Sequence, residues 1–256
     1  MLTEGLIKLP PVWEETVYRH VIDSMIGWAM KFNTPMTKEA VRLAQKKYGG
    51  GQKPIEDALS ARWVSCPKHL GRTPRLDRIM VVVYFAPKLN GGTTTSGYYH
   101  HAKARIVVAP LIKSFFLRRW PDRGHADDLV IAIEEATATV RHEMMHAVQE
   151  IYLPAEQYKK NSDYNDNTVG YMTSTVEFDP MIVSSVAEFM KWSRIVGFSE
   201  KNLKAFLGMG HSYQMEPNDF YVTLRDHAPT KYKLAVKKFI TELSGHKDEL
   251  TDLKRK

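Results

Sequence analysis

A single cysteine, Cys66, excludes an internal disulfide and leaves no second thiol for a cysteine-built metal site. Long apolar runs are also missing: nothing approaches the roughly 20 residues a membrane-spanning helix needs, so no membrane partner is expected. Neither G-x-x-x-x-G-K nor G-x-G-x-x-G occurs, and Gly91-Gly92 therefore reads as a hairpin loop rather than a phosphate cradle. There are no internal repeats and no low-complexity tract. The opening MLTEGLIKLPP has no secretory-signal pattern, and with the lone thiol this sets the expectation of a reducing, cytoplasmic setting.

What the chain does have is enough apolar content, 43% over 256 residues, to bury a substantial core. One α+β domain is expected, with a helical N-terminal region over 1–71, a central core over 72–195 and a helical C-terminal region over 196–256. Helical periodicity runs through ETVYRHVIDSMIGWAMKF and again from Thr37 to Tyr48, where Gly49-Gly50-Gly51 gives a stop and a candidate hinge. Arg78 to Ala86 is a β-branched and aromatic run that reads as a buried strand ended by Pro87. Leu89 to Gly97 reads as a turn-rich loop, and Tyr98 to Pro110 as a second strand pairing back. Asn218 to Leu243 reads as helical, and Lys247 to Lys256 as a frayed tail.

The chemistry concentrates at His142-Glu143-Met144-Met145-His146. Residues four apart share one face of a helix, so two imidazoles could reach a single Zn²⁺, leaving Glu143 free as a base for a water that the metal activates. The surrounding stretch from Ala126 to Leu153 has no Gly or Pro, and its apolar residues fall near helical spacing. Asp127 and Asp128 suit the helix start, and Pro154 follows its end. A third ligand is not adjacent. Gln149 and Tyr152 stand where the metzincin pattern needs Gly and His, so a carboxylate from further along is required. Glu177, 31 residues past His146 and beyond a polar loop from Lys159 to Gly170, is the preferred candidate. Asp179 and Glu188 are the substitutes. Asp179-Pro180 reads as N-cap and first position of the helix that follows.

The HEMMHAVQE helix followed by TVEFDP resembles the zincin metallopeptidases in their gluzincin arrangement, including small intracellular or phage-encoded members of the ImmA/IrrE type. The resemblance covers roughly residues 78 to 195. It implies Zn²⁺ held by His142, His146 and Glu177, Glu143 as general base, an antiparallel-containing sheet before the metal helix, and a protein or peptide substrate. Phage origin would place the chain in a host cytoplasm or a virion. The interval to Glu177 is longer than in the best-known gluzincins.

Other candidates are weaker. His211, Tyr213 and Tyr171 are possible donors to an oxyanion. His100 and His101 point to opposite faces of a strand and so do not share one ion. The net charge of +7 and the basic clusters at 72–78 and 118–123 make nucleic acid a second partner class, although acidic residues are interspersed and no nucleic-acid-binding motif is present. Two readings follow: a zinc endopeptidase, or a catalytically inactive zincin-fold structural or binding protein, virion- or nucleic-acid-associated.

Overall fold

A computed structural model of the chain describes residues 9–51, 53–57, 59–66, 78–85, 96–100, 103–110, 128–152, 168–174 and 177–253. His101, the Gly91-Gly92 loop, most of the polar 159–170 loop, the 118–123 cluster and all but Arg78 of the 72–78 cluster lie outside these residues. The described elements form an α+β fold, mostly helical, with one small mixed sheet. Contacts group the chain into two compact units, Leu9–Ile151 and the chain from Tyr152 onward.

In the first unit, α1 (Pro11–Met30) begins on Pro11, whose fixed φ suits a first helical position. Trp13, Val17, Val21, Met25 and Ile26 recur on its buried side. Helix α2 (Pro35–Tyr48) starts two residues before Thr37, because Thr34 is its N-cap. Thr37 N–H donates to Thr34 Oγ1 at 3.1 Å, and Thr34 N–H donates to Thr37 Oγ1 at 3.0 Å. The three glycines after it all take positive φ. They stop the helix as expected, but they are not a hinge: Gly51 N–H donates to Asp23 Oδ1 of α1 at 3.0 Å, and a Cβ on Gly50 or Gly51 would collide with α1 side chains.

The sheet has four strands in the order β1-β2-β4-β3: β1 (Leu59–Ser65), β2 (Arg78–Tyr84), β3 (Ser96–His100) and β4 (Arg105–Ala109). The single returning strand expected over Tyr98 to Pro110 is in fact β3 and β4, paired antiparallel, while β4 runs parallel to β2. The reversal passes through Ala104, a non-glycine residue at φ 43°, whose carbonyl accepts from Met80 N–H at 2.9 Å. No Gly or Pro marks it. Strand β2 is buried on one face only, by Ile79, Val81 and Val83. Ser60 shares that face and its hydroxyl meets Ser24 of α1 at 2.9 Å. Helix α3 (Asp128–Tyr152) lies close to β3 through Gly97, where an added Cβ would stand 2.5 Å from Thr139 Cγ2 and 3.4 Å from Glu143 Cγ. Salt bridges Arg141–Glu14 and Lys47–Glu134 tie α3 to α1 and α2.

The second unit holds α4 (Thr168–Thr173), α5 (Phe178–Val196), α6 (Glu200–Phe206), α7 (Asp219–His227), α8 (Pro229–Ser244) and α9 (Lys247–Leu253). Phe189, Phe206, Tyr221 and Phe239 form its aromatic centre, with ring centroids 5.3–6.2 Å apart. Two expectations are corrected here. Helix α5 begins at Phe178 with Glu177 as N-cap residue, so Asp179 lies inside its first turn, where its carboxylate accepts from Lys238 Nζ of α8 at 2.8 Å. The tail is not frayed up to Leu253: Leu250 and Leu253, one helical turn apart, are buried, and Arg194 of α5 donates to Glu249 at 2.6 Å. No helix among the described residues is long and apolar enough to cross a membrane.

Candidate metal centre

Helix α3 changes character along its length. Its early turns bury one stripe, from Leu129 through Ala136 to Val140. From Glu143 to Gln149 every residue is buried. A helix enclosed all round has no surface on which to solvate polar side chains, yet this segment carries Glu143, His146 and Gln149. Burial of polar groups costs free energy unless partners satisfy them, so such groups gather where something binds them.

The two histidines lie one turn apart, as their spacing requires. Their ring centroids are 4.8 Å apart and the rings are inclined at 72°. His146 Nδ1 is 3.1 Å from Gln149 Oε1. With Nδ1–H donating to that carbonyl oxygen, Nε2 keeps its lone pair. Sequence reasoning overlooked Gln149, although its place three residues after His146 puts both side chains on one helix face.

Glu177 comes from the residue just before α5. Its backbone N–H donates to Ser174 Oγ at 3.1 Å, and only 7% of its surface is exposed. One ligand atom from each of His142, His146 and Glu177 lies within 4.8 Å of the others. Tetrahedral zinc with bonds of about 2.0–2.1 Å needs ligand atoms roughly 3.3 Å apart. Two imidazoles and one carboxylate also leave a fourth position open, the donor set of a catalytic rather than a structural zinc. Glu143, 7% exposed, stands beside His142 in the chain and is not one of the three.

Asp179 is engaged with Lys238, and Glu188 is exposed on α5 with Asn218 Nδ2 donating to it at 2.7 Å. Neither belongs to the group. His211 is exposed in the segment between α6 and α7, and Tyr213 is fully exposed with Lys201 Nζ 5.8 Å from its ring centroid. Tyr171 is half-buried in α4, and His100 is half-buried in β3 opposite Arg105. Cys66, half-buried, follows β1 directly. No protein family, no curated protein and no solved structure matches this chain.

Proposed function

We propose that this chain is a zinc-dependent peptidase of the zincin type, with His142, His146 and Glu177 as ligands and Glu143 as general base. The observation that carries the reading is the pair of imidazoles one turn apart on α3, with ring centroids 4.8 Å apart and Glu143 buried beside them; Glu177 is the carboxylate that the sequence nominates as third ligand. Two of the three donors are neutral imidazoles and one is a carboxylate, a set suited to zinc. Bound there, the ion would act as a Lewis acid toward a peptide carbonyl and lower the pKa of a water molecule.

The chain's own residues supply the rest. Glu143, buried beside the pair, accepts a proton from the attacking water at its carboxylate and returns it to the leaving amine nitrogen. Gln149 fixes the tautomer of His146. An extended polypeptide substrate is the corresponding expectation.

Metal analysis and turnover on the same protein test the proposal. Purified chain is expected to carry about one zinc, as a single three-ligand site would. His146→Ala should abolish binding. Glu143→Gln should keep the metal and lower peptide hydrolysis by about 10²- to 10⁴-fold, the usual contribution of a general base. Metal retained with no chelator-sensitive hydrolysis, and no change of function in Glu143→Gln, would instead support the inactive structural or binding protein.

A further inference from the structure

The sheet face opposite the one that packs on α1 is not used by the metal site. The pairing register sets Trp63 level with Arg105 and His100, Tyr98 one row further along, and Tyr84 one row beyond that. Tyr98 is 55% exposed, Trp63 46% and Tyr84 42%. Large aromatics usually leave water when a fold can bury them, and here three stand out from one surface. Arg78 adds a guanidinium whose carbon is 4.8 Å from the Trp63 ring centroid. Arg105 is only half exposed, and its Nε is buried without a hydrogen-bond partner.

Among the described strand residues, the charge on this surface has one sign. Although the chain has 29 acidic residues, none of the four strands contains an Asp or Glu. The cations on the face are therefore not neutralised by its own side chains, and the whole chain carries +7. Neighbouring strands stand about 4.8 Å apart and same-face residues about 6.7 Å apart along a strand, which separates the three aromatic positions by roughly 12–16 Å. That is too wide for one small aromatic ligand to touch all three. It suits unstacked bases about two nucleotides apart on one extended strand, each on a ring, with the cations meeting the phosphates between them. A duplex hides its base faces and offers nothing to stack.

We infer that the outer face of the β-sheet, through Trp63, Tyr84, Tyr98, Arg78 and Arg105, binds single-stranded nucleic acid. The surface is separate from the metal ligands and the inference does not depend on them. The experiment is fluorescence anisotropy of the full chain with a labelled oligothymidylate and with a duplex of equal length, across a salt series. Single strands should bind in preference to the duplex. Tyr98→Ala and Trp63→Ala should each weaken that binding about five- to a hundredfold, with Tyr98→Phe retaining it. Arg78→Gln should reduce the slope of log affinity against log salt by about 0.7, the loss of one phosphate contact on a single strand. Because these side chains are exposed, unchanged circular dichroism and melting will show that the variants are folded. Glu143→Gln should bind oligonucleotide like the wild type, which separates this test from that of hydrolysis. The inference is overturned if the wild type does not bind. It is equally overturned if duplex binds as tightly and Tyr98→Ala changes nothing, which would assign the attraction to net charge. A wild-type dimer dissolved by Trp63→Ala would assign the face to a second copy of the chain.

Discussion

Gln149 shows how a single side chain can orient a nearby histidine. A histidine free to rotate presents either nitrogen, and holding Nδ1–H on an amide oxygen selects Nε2. Gln149→Ala is therefore expected to weaken zinc binding about 10- to 100-fold without abolishing it, measured against a competing chelator. Gln149→Glu, which keeps an acceptor there, should lose much less. His20 of α1 supplies a different residue-scale test. It is buried, and desolvation pushes its pKa below the ordinary value. Arg62 of β1 acts in the same direction, while backbone groups of Ser60 and Val81 and the Asp23 carboxylate oppose it. The unfolded chain consequently binds this proton more readily than the folded one. Stability contributed here is complete above the unfolded value near 6.5 and falls as pH drops below it, by at most about 1.4 kcal/mol per pH unit. Denaturant titrations from neutral pH to pH 5 should show that loss, and His20→Met should flatten it; parallel pH profiles for the two proteins would refute it. The closeness of His142 and His146 was legible because helical spacing alone places them together. His20 was not, since its burial depends on strands far away in sequence.

Among the elements, local signals were reliable where they matched the physics of termini. The glycine run did end α2, and the absence of Gly and Pro did leave α3 unbroken. They failed where tertiary contacts chose the outcome. Strand β1 is mostly exposed and offered little alternation to recognise. The β3–β4 reversal uses Ala104 in place of a turn-forming residue. Gly97 shows what such contacts require of an element. Its missing side chain lets β3 approach α3 beside Glu143, and any Cβ there would overlap Thr139. Gly97→Ala should force strand and helix apart, costing about 1–3 kcal/mol in denaturant unfolding and, on the proposed function, slowing hydrolysis as Glu143 shifts. Thr139→Ser removes the clashing methyl while keeping the hydroxyl bonded to the Glu135 carbonyl. In the double variant most of the stability should return. If it does not, the close approach is not what makes glycine necessary at 97.

For the whole molecule, composition anticipated a substantial core, and the strand-like runs before the long helix anticipated an α+β chain, whereas strand order was not legible. Periodicity describes one element at a time and contains no record of which strands become neighbours. The reach from His146 to Glu177 has the same character: the polar loop and the helix start after it nominated the carboxylate, and no period in the sequence ties it to the histidines. An ion held by these residues would join two parts of the chain that the unfolded state keeps independent. It would bind the folded form and not that open form, so its free energy of binding adds to stability by mass action. Zinc at a hundred times its dissociation constant should therefore raise unfolding free energy by about 2.7 kcal/mol. Melting followed across a zinc series checks this. The wild-type midpoint should climb with zinc and fall back on chelation, while His146→Ala should not respond. Glu177→Ala, with both imidazoles left, should respond only at higher zinc concentration. A Glu177→Ala midpoint that tracks the wild type throughout would remove the carboxylate from the ligand set.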